Sequence, residues 1–240
     1  MGGGCLAEKK ITRKDLLKEP DEFLTSTSKA ILYSREHPRQ VLLVCALLLL
    51  CLATAVGIYS YISQREKQSN KHFQKTAAEY EAATLSNEPL TTEKLEKLFN
   101  EFDVVAMNYA TLPAGEKALL YTGHILFNKK DYKGALERYK GMQSTSLVKK
   151  GLAPLVLYHI GRTLLALDDY EQAVLIFDQL SKDTNSPYRR EAYASIARIY
   201  ELMNKNKEAV QAYRQYLKIF PEAPDAAFVK SRIADLSKQG

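Results

Sequence analysis

Three basic side chains recur at a fixed spacing in the second half of the chain. His124, Arg162 and Arg198 are separated by 38 and then 36 residues, and each directly follows a small residue, Gly123, Gly161 or Ala197. A guanidinium presents its N–H donors in a planar fork that suits carboxylates and can also reach backbone carbonyls. Basic groups repeated in register either engage carboxylates or backbone carbonyls of a polypeptide or merely solvate one face of the fold. Catalytic chemistry is not expected. The sequence has no phosphate-cradling glycine loop, no H-E-x-x-H, no G-x-S-x-G and no cysteines paired at metal-ligand spacing. The four histidines are dispersed. His124 and His159 each lack a second ligand on their own helical face, which predicts groove-facing or partly buried imidazoles rather than metal ligands. The chain is read as a non-enzyme that needs no cofactor or metal.

The elements that position these residues are legible in residues 167–180, LDDYEQAVLIFDQL. Tyr170, Ala173, Val174, Phe177 and Leu180 fall on one stripe of a 3.6-residue helix. The same pattern returns at 129–139, KKDYKGALERY, with Tyr132, Ala135 and Tyr139, and at 204–213, NKNKEAVQAY, with Asn206, Ala209 and Tyr213. Each alanine follows a small residue by twelve positions: Gly123, Gly161 and Ala197. Leu126, Leu164 and Tyr200 lie three residues after those small positions, and Leu119, Leu157 and Tyr193 four before them. A helix-turn-helix unit is thus used three times. The apolar stripe is core: Ala173 is expected to face Gly161 and permit close approach, so a large residue there would cost about 1–3 kcal/mol by overpacking.

The pattern resembles the tetratricopeptide repeat, two antiparallel helices per unit. The small residue on the first helix, the alanine on the second and the aromatic four residues later match Gly161, Ala173 and Phe177, and Pro221 closes the third copy where that family often places proline. The period here is longer than the family's usual 34. The extra residues fall between units, in MQSTSL and KDTNSPYRR, and Asn206 stands where an aromatic is usual. The resemblance implies an all-α solenoid whose first helices line a concave groove. It places His124, Arg162 and Arg198 on that groove as a basic stripe, with Tyr121, Phe127, Tyr158, His159, Leu165 and Ser195 on the same inner faces.

The flanks set the rest of the organisation. Residues 41–63 carry no charge and reach about 35 Å as a helix, enough to span a hydrocarbon core of roughly 30 Å. Tyr59 and Tyr61 at its end suit the interface. Ala53-Thr54-Ala55 imitates a cleavage site, but the 40-residue flank ahead of the run argues for an uncleaved anchor. Ala53-x-x-x-Gly57 is a small-xxx-small pattern through which two anchors can pack as a homodimer. Residues 1–40 are read as a cytoplasmic tail. In it Thr12-Arg13-Lys14-Asp15 fits a capping box, Ile11 and Leu16 a staple, and Pro20 and Pro38 end helices. The opening MGGGCL fits a myristoylation signal poorly, because Leu6 stands where Ser or Thr is expected.

Residues 64–115 are expected to give membrane-proximal helices at 66–86 and 92–109, separated by SNEPLTT. There Leu95 and Phe99 precede Ala135 and Tyr139 by 40 and mark a degenerate first repeat. The three repeats occupy 116–222. Residues 223–240 form a capping helix with Asp225 as N-cap and Phe228, Ile233 and Leu236 over the last edge. The cysteines lie only in the tail (Cys5) and the anchor (Cys45, Cys51), so the repeat domain uses no disulfide.

The net charge of +6 is read as a mixed-charge solvated surface, not a nucleic-acid site. The whole arrangement is similar to bacterial inner-membrane proteins related to the ancillary subunit of the Sec translocon. That resemblance implies a periplasmic repeat domain, an inner-membrane anchor, and translocon, periplasmic chaperones or unfolded clients as partners. The alternative is a structural scaffold for an envelope complex serving cell division, pilus or cytochrome assembly.

Overall fold

Helices form wherever the 3.6-residue stripe is sustained, and the described residues contain no strand. The computed structural model describes residues 22–85 and 91–238. The capping box at 12–15 with its staple, Pro20, Cys5, the opening MGGGCL and most of the SNEPLTT linker lie outside them. The chain divides into two units, residues 1–63 and 64–240. Helices are numbered from the first one described.

In the first unit α1 (Glu22–Glu36) stops ahead of Pro38, which opens α2 (Pro38–Leu85). Proline is disfavoured inside a helix but suits its first turn, so one residue ends the first helix and starts the second. Tyr33 donates its hydroxyl proton to Gln40 Oε1 at 3.0 Å, bridging the break. The helix that begins at Pro38 is long and apolar enough to cross a membrane. Its leucines from Leu42 to Leu52 are all exposed, as are Tyr59 and Tyr61. The sequence reading ended one helix at 63 and began another at 66. Instead α2 continues unbroken to Leu85, since no glycine or proline after Gly57 interrupts it.

The second unit stacks helix pairs. The C-terminal part of α2 packs with α3 (Thr92–Asn108). Then α4 (Pro113–Asn128) pairs with α5 (Tyr132–Met142), α6 (Ala153–Ala166) with α7 (Tyr170–Lys182), and α8 (Arg189–Leu202) with α9 (Asn206–Ile219). Finally α10 (Ala226–Lys238) lies on α9. The repeat is exact in its turns as well as its apolar residues. Lys130, Asp168 and Asn204 all take left-handed backbone, with φ of 64°, 57° and 57°. In each case the following amide bonds back to the carbonyl five residues earlier: Asp131 to Leu126 at 2.9 Å, Asp169 to Leu164 at 3.0 Å, Lys205 to Tyr200 at 2.9 Å. These are Schellman closures, which satisfy the last carbonyls of each first helix. Asp131 and Asp169 then cap the second helix, accepting from Gly134 N and Gln172 N.

Ala135, Tyr139, Ala173, Phe177, Ala197 and Ala209 are fully buried and Tyr213 nearly so. The partner of the glycines differs from expectation. A Cβ on Gly161 would meet Phe177 Cζ at 2.8 Å, and one on Gly123 would meet Tyr139 Cε1 at 2.6 Å. The small position therefore accommodates the aromatic ring, not Ala173. The aromatic lies one turn beyond the alanine on the same face, and its ring reaches the glycine first. Ala173 still has no exposed surface.

The flanks differ in two details. In the degenerate unit Leu95 is buried as expected, but Phe99 is only partly buried; Leu98 and Phe102, 1% and 0% exposed, precede Ala135 and Tyr139 by 37 residues and share the core with Leu95. At the far end Val229 and Leu236 are buried with Ile233 packed beside them, whereas Phe228 is 66% exposed. Asp225 stands at the N-cap of α10 as expected, its carbonyl accepting from Val229 N at 3.0 Å, while its carboxylate accepts from the Tyr216 hydroxyl. Pro221 sits exposed in the turn that closes α9.

The extra residues between the second and third pairs are pinned rather than loose. Glu116, 5% exposed, accepts from Ser146 N, Ser146 Oγ and Leu147 N at 2.8–2.9 Å. The segment then passes through a π turn, Val148–Leu152, in which Gly151 takes φ 118°. That backbone is rarely open to side-chain-bearing residues.

Among the buried side-chain atoms without a hydrogen-bond partner in the described residues is one hydroxyl. The Tyr139 hydroxyl has no hydrogen-bond partner among the described residues, and burial pushes its pKa well above the usual value. The matching residue in the next unit is Phe177, which has no hydroxyl to satisfy. Tyr139→Phe is therefore expected to stabilise the array by about 1 kcal/mol, since an unsatisfied buried hydroxyl costs roughly that or more. Thermal denaturation checks it; a loss of stability would show that the hydroxyl is engaged.

Candidate partner-binding groove

The first helices α4, α6 and α8 carry the candidate residues. Phe127 near the end of α4 and Tyr158 in α6 hold the Arg162 guanidinium between them, with ring centroids 5.1 and 5.6 Å from Cζ. This cation–π clamp fixes the side chain while leaving Arg162 exposed. Tyr158 in turn stacks on Tyr188 at 4.6 Å and 15°. One pair further on, Arg189 lies over Tyr193 and Phe220 at 5.9 and 6.0 Å and donates from Nε to the Ser181 carbonyl at 3.0 Å. The surface thus alternates aromatic rings with guanidinium groups.

Arg198 is exposed, and Ser195 and Leu165 are half-buried; Leu165 also packs against the central core. Tyr121 is half-buried. Its ring packs against Phe73, Tyr80 and Phe102 at 5.4, 5.5 and 4.8 Å, at the margin of the core cluster nearest the N-terminus of the array. The preceding helix pair supplies more aromatic surface than the repeat logic revealed.

The histidines are brought together. His124 Nε2 and His159 Nε2 lie 3.2 Å apart, and the His159 ring stacks on Tyr139 at 5.1 Å. Burial, and then the nearby Arg162 charge, hold His124 down to about 4. Burial, and then His124 and Arg162, hold His159 down to about 3. Both imidazoles are therefore neutral at neutral pH, with one N–H donating to the bare nitrogen of the other. This corrects the basic stripe: its charge comes from Arg162 and Arg198, and His124 contributes none. Two imidazoles beside a guanidinium do not make a cation site, and no group of three His, Cys, Asp or Glu that could hold a metal occurs among the described residues.

Sequence reasoning missed Tyr188, Arg189 and Phe220. Tyr188 and Arg189 lie in KDTNSPYRR, set aside as inter-unit insertion because it has no counterpart in the other copies. The available signal was an aromatic–arginine pair directly after Pro187, where a helix begins.

Comparison with known proteins agrees with this geometry. Residues 155–222 match the tetratricopeptide-repeat family profile. Among solved structures the chain is similar to a tetratricopeptide repeat protein from Parabacteroides merdae, with 14% identity and a TM-score of 0.56, over 72% of this chain and 61% of that one. The match thus spans less than two thirds of that protein. The chain is also similar to nearly identical TPR-like repeats from Podosopora anserina, with 12% identity and a TM-score of 0.53, over 72% of this chain and 87% of that one. No curated protein matches the sequence. At such identities the structural likeness speaks for the fold, an arrangement that typically serves as a protein-interaction scaffold. Residues 155–222 are a tetratricopeptide-repeat region, set within a helical array that has the fold of solved tetratricopeptide proteins.

Proposed function

We propose that the protein is a membrane-anchored adaptor whose repeat groove captures an extended or unfolded polypeptide. The observation that carries this reading is the aromatic-clamped, exposed Arg162, one repeat away from exposed Arg198. Two guanidinium groups so placed engage carboxylates or backbone carbonyls, while Phe127, Tyr158 and Tyr188 supply ring faces to apolar side chains. The uncharged stretch 41–63 supplies the anchor. On this reading the tail is cytoplasmic and the array lies in the periplasm of a bacterial inner membrane, working beside the Sec translocon with periplasmic chaperones or unfolded clients. Resemblance to the translocon's ancillary subunit supports that placement, as does the tendency of a short basic tail to stay inside.

Protease treatment of intact spheroplasts, with a C-terminal tag as readout, tests the reading. Loss of the tag without lysis is expected. Protection until lysis would put the array in the cytoplasm and end the translocon reading.

A further inference from the structure

The end of the array at which its chain begins carries a surface that partner capture does not use. Arg65 follows that run by two residues, so its Cα lies within about 8 Å of the run's last Cα whatever the angle of the helix. Arg65 Nη2 donates to the Asn108 carbonyl at 2.8 Å, and its guanidinium lies over the Tyr109 ring at 5.4 Å. The C-terminus of α3 and its turn into α4 are thereby held beside Arg65. Glu116 in the first turn of α4 bonds Ser146 and Leu147, which brings the inter-unit segment 143–152 to this edge as well.

The residues exposed there suit a lipid surface. Met107 is 72% exposed although apolar. Lys67, Lys71, Lys149 and Lys150 are exposed, and no carboxylate lies within ion-pair distance of any of them among the described residues. Residues 64–75 hold four basic side chains against Glu66 alone, and 104–112 and 143–152 hold no acidic residue. Lysines around an exposed apolar side chain, next to a chain segment apolar enough to span, complement anionic headgroups.

We propose that this edge docks on the anionic headgroup surface of the membrane that α2 crosses. Met107 enters the headgroup–acyl boundary, and Lys67, Lys71, Lys149 and Lys150 meet lipid phosphates. The array is then held against the bilayer by a second contact, not by its tether alone. The proposal rests on the membrane-anchor reading, so the experiment must separate the two.

The chain has no tryptophan, which makes single-tryptophan variants clean probes. Met107→Trp and, separately, Leu48→Trp are made in the full chain and placed in protein-free lipid vesicles of phosphatidylcholine with or without phosphatidylglycerol. Quenching by lipids brominated near the headgroup is then measured for the first, and by lipids brominated near the bilayer centre for the second. Quenching of both is expected, with that at Met107→Trp several-fold stronger when phosphatidylglycerol is present and reduced by Lys149→Glu with Lys150→Glu. Quenching at Leu48→Trp with water-exposed emission at Met107→Trp would overturn the docking while leaving the anchor intact, and would free this face for a protein partner. Equal quenching at Met107→Trp in both lipid mixtures would overturn the role of the lysines. An unquenched Leu48→Trp would overturn anchor and docking together.

Discussion

Gly161→Val is expected to destabilise the repeat array by about 2–3 kcal/mol. The first atom of any side chain at this position would sit 2.8 Å from Phe177 Cζ, closer than carbon atoms pack. Phe177 has no exposed surface and lies in the central cluster with Ile160, Leu164, Ala173 and Leu180, so it cannot swing aside without moving its neighbours. A packed interior near crystal density yields only by straining rotamers or separating the helices. Separation is costly because each helix pair covers the next, and the loss spreads to both interfaces. For a unit of this size the melting temperature should fall by about 5–10 °C. Gly141→Ala is the control: a Cβ there meets only Leu119 Cδ2 at an ordinary 3.6 Å, so alanine should be neutral or stabilising by up to about 1 kcal/mol through helix propensity. Phe177→Leu combined with Gly161→Val should recover part of the loss, because the two residues touch and their effects do not add. Equal destabilisation by the Gly161 and Gly141 changes would mean that helix spacing is not set by the glycine–aromatic contact.

Arg162→Glu together with Arg198→Glu is expected to weaken partner capture by about 3 kcal/mol, on the order of a hundredfold in Kd. Each guanidinium loses a charge-assisted hydrogen bond, and each new carboxylate repels the carboxylates of an acidic partner. The Arg162 change also empties the clamp between Phe127 and Tyr158. Stability should change far less, by roughly 0.5 kcal/mol per site, because both residues are exposed. That separation of binding from folding is what a binding surface predicts and a structural one does not.

The repeat logic was legible because burial imposes it at every unit. An alanine and an aromatic four residues apart on one helix, with a small residue twelve earlier, leave a pattern that survives changes elsewhere. The three fully buried alanines and the two glycine–aromatic contacts obey it. What the pattern does not encode is rotation and reach. Spacing along one helix put Gly161 opposite Ala173, but a phenylalanine one turn away extends further. In α10 Phe228 was read as covering the last edge, whereas Val229 is the residue that fits Ile233 and Leu236 at i+4 and i+7. The His124–His159 contact joins two helices at a separation of 35 residues, off the repeat period, so no comparison between copies could reveal it. The unbroken α2 was obscured by composition: apolar residues give way to charged ones at Arg65, yet both segments favour helix. Exposed charge was legible at Arg162 and Arg198. At His124 it was not, because burial and a neighbouring imidazole decide protonation.

Site-specific photo-crosslinking of the full chain in cells tests the groove most directly. The photoreactive residue replaces Tyr158 on a first helix or, in a second variant, Leu175, which is 60% exposed on the second helix of the same unit. Protein adducts are expected from Tyr158 and not from Leu175, and those from Tyr158 should disappear when Arg162 and Arg198 are reversed to glutamate. Adducts equally strong from both positions, or unchanged by the charge reversal, would contradict capture of a polypeptide by the groove.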